Sequence, residues 1–286
     1  MAMLEKAELT ESSAETDSAQ RGGVWGRRRA VGALWRLGTR VALFAASIAI
    51  LFVLWIIGSR HFSPLILPGP TSVWHGFLGD WRSGFVTSDI FATVEHLFIA
   101  YGITVLLGVP IGILIGRYWV VEDLTRAYLI FIQTIPTIVL IVLVLIFLGS
   151  TPTGVEAVTV ASCFTYFTLN IIQGTKSIDR DLIEMAHTYG ASELSIMRSI
   201  IFPSVIPFFL AAGRVTIGVA WQVTLFGEYL MGVKGIGFQI QSYIGLSQTA
   251  NVYSWGIIVV LLTILFEYGL FRPIEWTLTR HTRRAT

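Results

Sequence analysis

The chain is poor in charge: Asp, Glu, Lys and Arg make up 13% of its 286 residues, about half the ~25% usual in soluble domains. With 54% hydrophobic side chains and a mean hydropathy of +0.70, that scarcity excludes a soluble globular domain. Cysteine is nearly absent. Cys163 is the only one and lies in an apolar run, so neither an intrachain disulfide nor a thiolate metal cluster can form. The histidines His61, His75, His96, His187 and His281 are scattered, with no pair at metal-ligand spacing, so no metal site is expected. No Gly-x-x-x-x-Gly-Lys-Ser/Thr loop occurs. The GVKGIG stretch at Gly232 lacks both its spacing and its final pair, so any ATP-driven step needs another chain. Net charge is only +2 and the basic residues stand at the edges of apolar runs, which leaves no patch for nucleic acid. No set of catalytic side chains clusters at one depth, and none is assigned.

What is present is apolar length. A crossing takes about 20 mostly apolar residues, and six segments supply it: 41–58, 97–116, 127–148, 157–175, 204–227 with Arg214 inside, and 252–270 with Glu267 near its end. The expectation is an all-α integral membrane protein of about six transmembrane helices. Lys and Arg collect in the N-terminal flank, around Arg117 and Arg126, around Lys176, Arg180 and Arg198, and in the tail from Arg272 to Arg284. The positive-inside rule then puts both termini in the cytoplasm. Residues 1–38 read as a cytoplasmic, largely disordered tail, 39–280 as the membrane domain and 281–286 as a second cytoplasmic tail.

Two connections are too long to be turns. The outer one, 59–90, holds LPGPTSVWHGFLGDW. Pro68 and Pro70 forbid helix there, and Thr71 or Ser72 can cap a short amphipathic helix with Val73, Trp74, Phe77, Leu78 and Trp81 on its apolar face. The inner one, 177–203, predicts a helix capped by Asp179 or Asp181, a stop at Gly190, and a second helix capped by Ser192 that leads to Pro203 and the fifth span. It reads either as a rigid knob for a soluble partner, linked directly to a span, or as an ordinary interfacial loop.

Inside the spans, Gly108, Gly112 and Gly116 recur every fourth residue, a stripe that lets another helix approach closely, in the same chain or in a second copy. Pro110 and Pro136 are expected to bend their helices. Arg214 either faces a solute path or lies shallow and pairs with Glu122, Asp123 or Glu267. Gln133, Thr134, Pro136, Tyr166, Gln222 and Glu228 are further path-lining candidates, against the alternative that they bond between helices.

Glu184, Ala186, Gly190, Ile200 and Pro203 match the EAA signature of bacterial ABC-importer permeases, with Met185 and Phe202 as apolar departures from it. The resemblance covers roughly 67–279. LPGPTSVW, GVPIGILIG, QTIPTIVLIVLVLIFLG and GEYLMGVKGIGFQI occur in the order in which similar stretches stand in the nitrate, sulfonate and taurine permeases. It implies the type I importer permease fold in a dimer, set in the bacterial cytoplasmic membrane among its lipids. It further implies a cytoplasmic ATPase dimer docked on 177–203 through the five matching residues. ATP and Mg would sit on those partners and no cofactor on this chain. An extracytoplasmic binding protein would deliver a small, anionic solute. An ion-coupled secondary transporter is the alternative; it should show inverted repeats and mid-membrane carboxylates, and neither is evident.

Overall fold

A computed structural model describes residues 42–266, with Thr39 and Gly269 beside them. The two tails, the basic clusters at Arg27 to Arg40 and Arg272 to Arg284, Glu267 and the end of the sixth expected span lie outside the described residues. The chain divides into two units at Ser63. Of the first, helix α1 (Ala42–His61) is 20 residues long and apolar enough to cross a membrane by itself.

The second unit runs α2 (Pro70–Arg82), α3 (Phe85–Arg117), α4 (Trp119–Thr134), α5 (Thr137–Leu148), α6 (Pro152–Lys176), α7 (Arg180–Thr188), α8 (Glu193–Ile196), a π-helical turn (Met197–Ile201), α9 (Phe202–Met231), α10 (Ile236–Gly245) and α11 (Thr249–Leu265). The expected all-helical membrane fold is observed, with no strand among the described residues. By length and composition α3, α6 and the continuous stretch Glu193–Met231 can cross a membrane alongside α1, and α11 is a shorter apolar helix.

Three expectations need correction. The third span bends at Pro136, as expected, but sharply enough to make two helices of it: α4 and α5 meet at 96°. Pro136 supplies no N–H, and the residue before a proline is pushed out of the helical region; Ile135 is extended at φ −70°, ψ 121°. Pro110, by contrast, sits inside an unbroken α3. The second span starts at Phe85, well before residue 97, because the polar turns ahead of the apolar run continue the same helix. In α2 neither Thr71 nor Ser72 is the cap. Pro70 opens the helix behind Gly69, with no side-chain cap, since its fixed φ and missing N–H suit the first helical position.

The centre of the unit is the close approach of α3 and α6. A Cβ on Gly108 would stand 2.7 Å from Phe167, on Gly112 2.7 Å from Ile171, and on Gly116 2.6 Å from Thr175. Only hydrogen fits at those three positions. Phe167 and Ile171 then pack with Ile113, Ile196, Ile201, Val205 and Ala212. A second cluster joins Val86, Leu97, Cys163, Trp221, Ile236 and Trp255. The first core sits where α7 and the π turn join the bundle, the second where α2, α10 and α11 do.

Candidate docking element and the buried clamp beyond it

The segment 177–203 builds a helix, bend and helix from local signals. Asp179 accepts a hydrogen bond from the Asp181 N–H at 3.0 Å and so caps α7. Gly190 ends it at φ +76°, a left-handed conformation that costs glycine nothing. Its N–H donates to His187 O at 2.9 Å and that of Ala191 to Ala186 O at 3.0 Å, the paired closure of a Schellman motif. Ser192 then accepts from Ser195 N–H at 3.3 Å and caps α8.

The second helix is not a separate piece, as the sequence had suggested. It passes through the π turn into α9, so Glu193–Met231 is one helical stretch of 39 residues. At the turn the Phe202 N–H reaches back to Met197 O. This wider turn immediately precedes Pro203, which lacks a donor and crowds the carbonyl four residues back.

One face of α7, with Ile183 and Ala186, is half-buried against Ile196 and Ile201. The other presents Leu182, Met185 and Tyr189, the last 85% exposed, with Leu194 78% exposed nearby in sequence. Of the residues expected to couple to a partner, Glu184, Gly190 and Pro203 are exposed, and Ala186 and Ile200 are half-buried. Glu193 ties the element to the membrane helices by pairing with Arg117 at the end of α3, and its other oxygen lies 3.5 Å from His187 Nε2. Lys176 pairs with Glu122 beside it.

At the other end of α9 stands a buried carboxylate. Glu228 is wholly enclosed. One oxygen accepts from the Thr93 hydroxyl at 2.9 Å and from Gly237 N–H at 3.0 Å, and the other lies 3.1 Å from His96 Nδ1. Thr93 in turn accepts from Ile236 N–H at 2.9 Å. The chain between α9 and α10 folds back over this group. A Cβ on Gly235 would fall 2.3 Å from the carboxyl carbon, and one on Gly237 2.3 Å from Leu225 O. A second buried carboxylate, Asp80, accepts from Tyr243, from Trp255 Nε1 at 2.9 Å and from Asn251 Nδ2 at 3.2 Å. Burial first, and the bond to Asp80 next, push the Tyr243 phenol above its ordinary range. Gln239 donates to Asp89 at 2.8 Å. Together these bonds hold α2, α3, α10 and α11 around the end of α9.

The path-lining candidates fall in different places. Gln133, Thr134 and Pro136 are exposed at the break between α4 and α5, and the Thr134 hydroxyl bonds its own helix at Ile130 O. Tyr166 is partly exposed on α6. Arg214 and Gln222 are exposed on α9 with Gly218 between them, one residue per turn on one face. Glu228 is turned inward, away from that face. Sequence reasoning did not foresee Thr93, His96, Asp80, Asp89, Tyr243 or Trp255, whose partners lie between 132 and 175 positions away.

A helical bundle of membrane-crossing length defines the class: an all-α integral membrane protein. The profile of the binding-protein-dependent transport system inner membrane components matches residues 108–271, more than half of the chain. The chain belongs to that family and is a permease component of an ABC importer. A probable ABC transporter permease protein of Brucella melitensis is 28% identical over 235 residues, covering 82% of this chain and 91% of that one. The taurine transport system permease protein of Escherichia coli is 25% identical over 252 residues, covering 86% and 91%. Among solved structures, a chain of the MetNI methionine ABC transporter in an inward-facing conformation superposes with a TM-score of 0.56 at 19% identity, over 70% of this chain and 95% of that one.

Proposed function

We propose that two copies of this chain form the path for a small anionic solute, and that a dimer of cytoplasmic ATPase subunits drives it by docking on α7. The observation that carries this reading is the linkage of the exposed Leu182, Met185 and Tyr189 face, through the Gly190 bend, to a helix that continues into the membrane. A groove in a soluble partner receives such a ridge as it would any amphipathic helix. Movement of the partner then displaces α9 without an intervening flexible joint. ATP and Mg sit on the ATPase subunits and this chain binds no cofactor. The docking face and both termini are cytoplasmic. On the opposite side a solute-binding protein meets the connections 59–90 and 228–251. Alternating access follows from two packings of the dimer, each favoured by one nucleotide state of the ATPase.

The second copy and the sign of the solute rest on α9. Lipid would penalise an exposed face carrying Arg214 and Gln222 halfway along a crossing, so protein or water covers it. A guanidinium there favours an anion, in keeping with the E. coli relative, whose named solute, taurine, bears a sulfonate. The test is retention of the cognate ATPase on the purified permease, followed by uptake of labelled taurine and nitrate into proteoliposomes. Retention should be lost when Leu182 and Met185 are both changed to Glu, and uptake should require ATP inside. If the double variant holds the ATPase as well as the native chain, or if uptake persists on an ion gradient without ATP, the reading is wrong.

A further inference from the structure

The exposed face of α9 that carries Arg214 and Gln222 opens at its edge into a recess of about 250 Å³. Trp221 and Phe266 give it ring walls, Val215 and Gly218 lie beside them, and Gln222 and Thr263 are its polar members. Among the described residues no charged side chain lines it. The Trp221 indole N–H donates to the Thr263 hydroxyl at 3.0 Å, and that hydroxyl donates to Val259 O at 2.7 Å. The indole ring stands 5.2 Å from that of Phe266. Trp221 is thus held in place and offers the recess a ring, with its donor already met. Gln222 is the opposite case: its amide makes no hydrogen bond to any described residue. A Cβ on Gly218 would meet nothing within 4 Å, so the space over that glycine is open.

Depth and lining together choose the occupant. Leu97, where the uninterrupted apolar run of α3 begins, is also on the wall. Trp221 lies ten residues before the end of α9 at Met231, or about 15 Å along the helix. The recess is therefore inside the crossing, where an amide without a partner is penalised. A lipid chain would cover the walls and leave the Gln222 amide unmet. Water or a bare inorganic anion would meet the amide and leave the rings uncovered. A concave site with mostly apolar walls and one convergent polar group takes a small organic molecule. Its volume is below the roughly 300 Å³ at which pockets for drug-sized ligands begin, which limits the occupant to a single ring or a short chain.

We propose that this recess seats the body of the transported solute, and hence that the cargo is a small organic anion with an aryl or short alkyl body. That body lies against the Trp221 and Phe266 rings and over Gly218, and a polar group of the solute accepts from the Gln222 amide. The proposal rests on reading the Arg214 face as an anion path, and it adds the body that the anion carries.

The permease–ATPase complex in detergent is tested with benzenesulfonate as the probe, by ligand-observed saturation-transfer NMR against empty micelles. The native complex should bind it saturably. So should the control Gly256→Leu, whose glycine also stands in open space but lines a different groove, on α11. Gly218→Leu fills the recess and Gln222→Leu removes the amide. Each should weaken binding at least about five-fold, the scale of one lost hydrogen bond, without lowering the melting midpoint. Excess 1-propanesulfonate should displace the probe, and nitrate at the same concentration should not. Equal binding by all four chains, no saturable binding by the native complex, or displacement by nitrate as effective as by propanesulfonate would each overturn the proposal. Proteoliposome uptake by the same variants separates the two readings. ATP-driven uptake by the native chain with undiminished probe binding in Gly218→Leu leaves the path standing and removes the seat; probe binding that follows the recess in a chain without ATP-driven uptake faults the path and not the seat.

Discussion

The Gly237 amide donates to the Glu228 carboxylate at 3.0 Å and folds the connection after α9 back onto the helix it has just left. Thr93 and His96 of α3 meet the same carboxylate. One buried group therefore sets the spacing of three segments. Removing it leaves donors without acceptors in a closed interior, and each buried donor so stranded costs about 1–3 kcal/mol. Glu228→Ala should lower the thermal midpoint in detergent sharply, followed by tryptophan fluorescence, and Glu228→Gln should lower it less. Equal midpoints for Glu228→Ala and the native chain would mean that the clamp does not hold the fold.

The glycines of α3 make a graded prediction. A methyl at Gly112 meets Ile171 at 2.7 Å, whereas one at Gly102 meets nothing within 4 Å. Gly112→Ala should therefore cost about 1–3 kcal/mol through overpacking, and Gly102→Ala should be neutral or mildly stabilising. Paired melting curves decide it, and an ordering in the opposite sense would refute close packing of α3 on α6.

Asp80 gathers Tyr243, Asn251 and Trp255 from two other helices. Asp80→Ala should loosen α10, and chymotrypsin should then cut after Tyr243 at a rate at least tenfold above native, corresponding to about 1.4 kcal/mol of lost local stability. The phenol binds its proton more tightly in the folded chain than its ordinary value of 10.0, so its contribution is complete below that value and is lost only as pH rises beyond it. Cutting of the native chain should accordingly show no step attributable to Tyr243 between pH 7 and 9.

At the docking element, Gly190 stands in open space, and only its backbone angle resists substitution. The left-handed conformation costs an ordinary residue about 1–2 kcal/mol, with Asn better tolerated than most. ATPase retention should then fall in the order Gly, Asn, Val at position 190. A variant such as Tyr189→Ala, which leaves the bend intact and removes the most exposed ring, should weaken retention without changing the melting midpoint. If retention proves indifferent to both positions, the partner sits elsewhere.

Much of this architecture was legible in short patterns. Asp179, Gly190 and Ser192 act through bonds to residues at most five positions away, so their roles as caps and stop show in the local order of residue types. Apolar length marked where the crossings lie, because hydrocarbon thickness sets a minimum run. It did not mark where helices begin or break. Hydropathy reports depth rather than backbone geometry, so the polar first turns of α3 escaped it; the prolines did mark the corner at Pro136, but Pro110 and Pro136 look alike as prolines in apolar runs, and nothing local says that only the second breaks its helix. Nor could a stripe of glycines say which helix would meet it. The buried carboxylates were beyond reach for a different reason. Thr93 and His96 acquire their meaning from a residue more than 130 positions away, and nothing around either marks it as a partner.

The 39 residues from Glu193 to Met231 correspond to about 58 Å of helix, against about 40–45 Å for a whole bilayer with its headgroups. A strut of that length exceeds the membrane it is apolar enough to cross. One foot carries Glu193 and the bend to α7; the other carries Glu228 and the fold-back at Gly235. The two ends belong to one continuous helical stretch, so a tilt or slide imposed at the first reaches the second through backbone alone, with no relay of side chains in between.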